Sequence, residues 1–138
     1  MVVPLHWFKA SMNNPPAVLI VDDDASLLTL LSLSLRRAGY PTLTAASGPE
    51  ALRLLASQPV DFMLTDGRMD VMDGFELSRR AKDLRPGLHI AMISAVFGAG
   101  DAAGAPIERV FEKPAGVADL VAWLRKFEAH SRTRRASN

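Results

Sequence analysis

The stretch VDFMLTDGRMDVMDG, residues 60–74, changes character twice. As far as Thr65 it is an apolar run of strand length. From Asp66 it is a polar loop, and at Gly74 a helical pattern begins, GFELSRRAKDLRP (74–86), which Pro86 stops. A short apolar run bounded by turn residues suits a strand buried on both faces, as in a parallel sheet. From Met63 onward the stretch also holds three aspartates, Asp66, Asp70 and Asp73. They do not make a calcium loop: counting from Asp66, the sixth position is Val71 rather than glycine and the twelfth is Leu77 rather than glutamate. Asp73, beside Gly74, is placed to cap the helix, and Asp70 reads as solvated loop. Asp66 differs from both because it ends the buried run.

The same order of strand, polar turn and helix recurs on either side. AVLIV (17–21) runs into Asp22, Asp23 and Asp24, and SLLTLLSLSLRRAG (26–39) then carries leucines at 27, 28, 31 and 35, with Gly39 as a stop. PTLTAA (41–46) reads as a strand. In SGPEALRLLASQ (47–58), Ser47 stands three residues before Glu50, which is capping-box spacing, with Pro49 in the first turn. HIAMISA (89–95) and RVFEKP (109–114) are further strands, and GVADLVAWLRKFEAH (116–130) is an amphipathic helix. AVFGAGDAAGAP (95–106), rich in Ala and Gly, offers at most a short, weakly specified helix. Repeated alternation of strand and helix predicts right-handed crossovers and an α/β sheet of five parallel strands with helices on both faces.

Bulk properties narrow the class. A chain of 138 residues suits one core, and a net charge of +1 does not point to nucleic acid. With no cysteine, disulfides and thiolate metal sites are excluded. No apolar run approaches the roughly 18 residues of a membrane span, and MVVPLHWFKASMNNPP makes a poor signal peptide, so a cytoplasmic protein is expected. Residues 1–16 read as a flexible N-terminal extension, 17–130 as the domain and 131–138 as a basic, polar tail that is more often solvated than bound to nucleic acid.

In a doubly wound sheet the reactive site lies beyond the carboxyl ends of the strands. Those ends carry Asp22 and Asp23, Asp66, Ser94 and Lys113. Each has an ordinary reading as well: helix caps, a loop-start aspartate, a strand serine bonded to backbone, a surface lysine. Together they imply chemistry. Clustered carboxylates repel unless a cation sits among them, and an all-oxygen donor set suits a hard ion such as Mg²⁺. One carboxylate is then a candidate nucleophile toward a phosphoryl group, forming an acyl phosphate stabilised by the cations and the hydroxyl.

From about Ala17 to His130 the chain resembles the receiver domain of bacterial two-component response regulators. The matching residues are VDDD (21–24), LTD (64–66), MDG (72–74), ISA (93–95) and EKP (112–114). The resemblance implies a flavodoxin-like fold with five strands and five helices. It implies that Asp66 accepts phosphate from a sensor histidine kinase or a histidine phosphotransfer protein. Asp22, Asp23, Asp66 and the Arg68 backbone carbonyl would bind Mg²⁺, Ser94 would be the switch hydroxyl, and Lys113 would contact the phosphoryl group. A cis Lys113–Pro114 bond is also implied.

Four positions depart from the family pattern. Asp70 stands where proline is usual. Arg68 places a guanidinium near the phosphoryl group. Val110 occupies the position of the switch aromatic, with Phe111 expected on the opposite face. The segment between Ser94 and Lys113 is Gly/Ala-rich, so the family's fourth helix is expected to be short or irregular and the output surface altered. The leading expectation is a stand-alone receiver, not a conventional enzyme, signalling to an unknown output protein by phosphorylation-dependent binding, with a homodimer left open. The alternatives are a phosphorylation-independent binding module, a fragment of a larger regulator and, against Arg68, a Mg²⁺-dependent aspartyl phosphohydrolase.

Overall fold

The computed structural model describes residues 17–137; the N-terminal extension assigned to 1–16 lies outside the described residues. Strands β1 (Val18–Val21), β2 (Thr42–Ala45), β3 (Phe62–Asp66), β4 (His89–Ser94) and β5 (Arg109–Glu112) are interleaved with helices α1 (Ala25–Arg37), α2 (Gly48–Ser57) and α3 (Gly74–Leu84), and α4 (Val117–Ser137) follows β5. All strand pairs are parallel, in the order β2-β1-β3-β4-β5. This is the flavodoxin-like doubly wound order, and its direction of winding reverses between β1 and β3.

Side-chain alternation along the strands splits the core in two. Val18, Ile20, Phe62, Leu64, Ala91, Ile93 and Phe111 pack toward α1 and α4, against Leu28, Leu31, Leu35, Leu120 and Leu124. Leu19, Val21, Met63 and Ile90 pack toward α2 and α3, against Ala51, Leu55, Leu77 and Ala81. Because both faces are covered, β1 and β3 are buried at every position. That is why they appear in the sequence as unbroken apolar runs.

The helix starts are held by short local bonds. Asp24 accepts from the Ser26 and Leu27 amides, at 3.0 and 3.3 Å. Asp73 accepts from Glu76 N–H at 2.9 Å. Ser47 accepts from Glu50 N–H at 3.3 Å, while the Glu50 carboxylate reaches back to Ala46 N–H rather than to Ser47.

Two expectations are corrected. Among the described residues there are four helices rather than the five that the family resemblance implied, because residues 95–108 form turns and no helix. Bonds Asp101 N–H to Gly98 O, Ala102 N–H to Ala99 O, Ala103 N–H to Gly100 O and Ala105 N–H to Ala102 O close tight overlapping turns that do not lengthen into an α-helix. With Gly98, Gly100 and Gly104 and little apolar surface to bury, helix propagation has no packing to support it. Conversely, α4 runs past His130, where the sequence reading ended it, to Ser137. SRTRRAS holds neither proline nor glycine to stop a helix already under way. Among the described residues, no helix is long and apolar enough to cross a membrane.

The loop from β3 to α3 contains one strained residue. Met69 and Met72 are both buried on the α2–α3 side of the sheet. Between them the chain turns within three residues: Met72 N–H donates to Asp70 O at 2.8 Å, and Val71 adopts φ 71°. A β-branched residue in this left-handed region costs on the order of 1–3 kcal/mol. The Val71 side chain is 92% exposed, so no packing offsets that cost. Val71→Gly relieves it, against roughly 0.5–1 kcal/mol of added backbone entropy in the unfolded chain. The expected outcome is a net stabilisation of about 1 kcal/mol, read from urea denaturation; a lower midpoint would contradict the strained turn.

Candidate functional site

Sheet register brings the strand ends level. Val21 pairs with Thr65, Asp66 with Ile93, and Ser94 with Glu112. Asp22, Asp66, Ser94 and Lys113 therefore emerge along one edge although they are far apart in sequence. Ser94 O accepts the Lys113 amide at 2.9 Å, which carries the β4–β5 pairing one residue beyond the strands. The next bond, Lys113–Pro114, is cis, as the resemblance implied.

Lys113 is the hub of the edge. Its ammonium donates to Asp22 Oδ2 at 2.9 Å and lies 3.3 Å from Asp66 Oδ1. Asp22 Oδ1 accepts the Asp24 amide at 2.9 Å, and Asp66 Oδ1 lies 3.5 Å from the Arg68 amide. Asp22 and Asp66 are buried and Asp23 is exposed. One carboxylate oxygen from each of the three lies within 4.8 Å of the others.

Three carboxylates thus face one ammonium, and the balance is negative. Burial, followed by the charge of Asp22, raises the Asp66 carboxyl above the ordinary carboxylate range, against the lowering pull of Lys113. For Lys113, burial favours the neutral amine, yet the hydrogen bond to Asp22 and the charges of Asp22 and Asp66 outweigh it and raise the ammonium. Lys113 is therefore charged at neutral pH, and its ion pairs are lost only as pH rises through that raised value. An all-carboxylate donor set with surplus negative charge fits a hard dication such as Mg²⁺.

Ser94 is buried, and its Oγ accepts two amides, Val96 N–H at 3.1 Å and Phe97 N–H at 3.0 Å. The reading of a strand serine satisfied by backbone thus holds. The arrangement still leaves the hydroxyl proton to donate, because a hydroxyl has two lone-pair positions and one proton.

The structure brings Asp22, Asp23, Asp66 and Lys113 together, places Ser94 on the same sheet edge, and adds a glycine. A Cβ at Gly74 would stand 2.2 Å from Asp66 O and 3.0 Å from Gly67 Cα, and Gly74 N–H donates to Gly67 O at 3.0 Å. The first residue of α3 is packed directly onto the backbone of Asp66. In the sequence, Asp73–Gly74 signals only a helix start. Val110 is half-buried, while Phe111 points into the α1–α4 core beside Trp123, with the Arg109 guanidinium 4.7 Å over its ring. No aromatic ring occupies position 110, in line with the sequence reading.

The family model of the response regulator receiver domain matches residues 18–125. The chain belongs to that family. It is 42% identical over 101 residues to the transcriptional regulatory protein GlrR of Escherichia coli K12, a match covering 72% of this chain and 23% of GlrR. The chain therefore spans about a quarter of that relative's length. It is 34% identical over 112 residues to the response regulator receiver protein CpdR of Brucella abortus, covering 79% of this chain and 93% of CpdR. The crystal structure of a CheY-like receiver domain protein from Methanospirillum hungatei JF-1 matches with a TM-score of 0.80 at 25% identity, covering 86% of this chain and 98% of that one. Receiver domains are signalling modules of two-component systems.

Two outcomes follow from the site of this receiver. Gly74→Ala must displace backbone at Asp66 and is expected to cost about 1–3 kcal/mol and to weaken Mg²⁺ binding; wild-type stability and affinity in that variant would refute the close approach. Because Asp66 holds its proton up to a higher pH than an ordinary carboxylate, acid competes with the ion early. Calorimetric titrations should show Mg²⁺ affinity falling before pH reaches the ordinary carboxylate range, whereas a flat profile down to that range would contradict the assignment.

Proposed function

We propose that Asp66 accepts a phosphoryl group from the phosphohistidine of a sensor histidine kinase or a histidine phosphotransfer protein, and that the phosphorylated receiver signals by binding an output protein. The observation that carries this reading is the shared ammonium: Lys113 bonds to Asp22 and lies against Asp66, with Asp23 beside them. An Asp66 oxygen forms the bond to phosphorus as the phosphorus–nitrogen bond breaks, and the electron pair returns to the imidazole. Lys113 offsets charge on the phosphoryl oxygens, and the Ser94 hydroxyl is the donor for one of them.

Asp22, Asp23, Asp66 and the backbone carbonyl of Arg68 would hold Mg²⁺. When bound, the ion offsets carboxylate repulsion and the charge of the transferring group. The hydrolase alternative is disfavoured because Arg68, not an acid, stands two residues beyond Asp66. Phosphorylation-independent binding loses ground because the acids and the lysine converge, although Val110 and the turn segment 95–108 depart from the family pattern. CpdR, a receiver protein spanned over 93% of its length, supports the stand-alone reading. GlrR, spanned over 23%, supports a second reading in which this module works within a larger regulator.

Incubation with Mg²⁺ and acetyl phosphate, followed by intact-mass measurement, should show one phosphoryl adduct that is absent in Asp66→Asn. No adduct with any small donor would overturn the reading, and rapid turnover of unrelated phosphomonoesters would favour the hydrolase. Arg68 is exposed two residues beyond Asp66, and its guanidinium would screen an acyl phosphate from water. Arg68→Asn should change the dephosphorylation lifetime several-fold, a difference of about 1 kcal/mol in the barrier; equal lifetimes would exclude that role.

A further inference from the structure

The loop after β4 contains an arrangement that phosphoryl transfer does not use. Ser94 Oγ is the acceptor for both the Val96 and the Phe97 amides. The Phe97 ring lies on the residue that follows Asp66: a Cβ at Gly67 would stand 2.7 Å from Phe97 Cδ2 and 3.3 Å from Cε2. The same ring meets Phe75, in the first turn of α3, edge to face, with centroids 5.0 Å apart and planes at 79°. One side chain thus touches the backbone next to Asp66 and the start of α3, and its own amide hangs on Ser94. The position three residues before Lys113 is aliphatic, and the neighbouring ring, Phe111, is committed to the opposite core.

We infer that Phe97 is the positioning residue through which Ser94 reports the state of Asp66 to α3, by way of Phe75. The inference rests on the proposed phosphoryl acceptance. Both acceptor positions of the Ser94 hydroxyl are taken by amides. Turning Oγ about χ1 toward a phosphoryl oxygen moves between staggered rotamers and carries those lone pairs away from Val96 and Phe97. Two amides then lose their acceptor together, and the loop must re-seat. The segment that follows is made of tight turns with Gly98, Gly100 and Gly104, and it resists such a shift less than a packed helix does. Any displacement of the loop moves the Phe97 ring against Gly67 and Phe75, since all three are in contact. Phosphorylation therefore biases which of two seatings the ring occupies.

The test is NMR of the full chain labelled at phenylalanine and backbone nitrogen, before and after acetyl phosphate with Mg²⁺, with the extent of adduct measured by mass on the same sample. In wild type the Val96 and Phe97 amides and the Phe75 ring are expected to shift on phosphorylation. In Phe97→Leu the adduct forms to the same extent and the Val96 amide still shifts, but the phosphorylation-dependent shift of the Phe75 ring is lost. Phe97→Tyr, which keeps the ring, restores it. An undiminished Phe75 response in Phe97→Leu, or stationary Val96 and Phe97 amides in fully phosphorylated wild type, overturns the coupling while leaving the chemistry at Asp66 intact. Absence of any adduct overturns the reading of Asp66 and the coupling with it.

Discussion

The ammonium of Lys113, bonded to Asp22 and held against Asp66, is the interaction around which the site is arranged. Two buried carboxylates at the ends of adjacent strands are costly to hold side by side, and burial raises the Asp66 carboxyl. A lysine arriving from β5 compensates part of that cost. It reaches them only because Ser94 O pins the Lys113 amide and because the β1–β3–β4–β5 register keeps the strand ends level. The compensation is incomplete, since Asp23 adds a third carboxylate. That remaining negative balance suits a dication, whose charge would in turn offset that of an incoming anionic group.

The rest of the molecule supplies rigidity on one side of this edge and softness on the other. Gly74 locks α3 onto the backbone of Asp66, and the α1 and α3 starts are capped by Asp24 and Asp73. Across the site, residues 95–108 form turns in place of a helix. Phosphorylation at Asp66, as proposed, would act between a closely packed helix start and a segment of turns. Phe97, lying between Gly67 and Phe75, connects the two.

Much of this was legible in the sequence for identifiable physical reasons. A strand buried on both faces has no polar alternation, so AVLIV and VDFMLTD stand out, and their acidic ends mark the carboxyl edge of the sheet. Caps such as Asp24, Ser47 and Asp73 act on residues two or three positions away, and local spacing reveals them. The poor helical pattern of 95–106 pointed to a short or irregular helix, and the segment forms turns instead. What local spacing does not encode is close approach between distant segments. Gly74 signals a helix start but not its contact with Asp66 O, and nothing around Phe97 announces Gly67 or Phe75. The three-residue turn at Val71 was hidden because valine is a poor marker of positive φ. The continuation of α4 beyond His130 was obscured because a basic, polar run resembles a tail. The roles assigned to Asp66, Ser94 and Lys113 came from the family resemblance; the structure adds that their strands bring them to one edge.

The central claim is that Asp22, Asp23 and Asp66, balanced only in part by Lys113, form one dication site at this edge. Paramagnetic broadening by substoichiometric Mn²⁺, recorded on backbone amides and reversed by Mg²⁺, tests it most directly. The account predicts that the first resonances to disappear are those of residues 22–24, 66–68, 94 and 113, and that Asp66→Asn abolishes the pattern. Diffuse broadening shared equally by Asp61, Asp70, Asp73 and Asp83, and insensitive to Asp66→Asn, would contradict it.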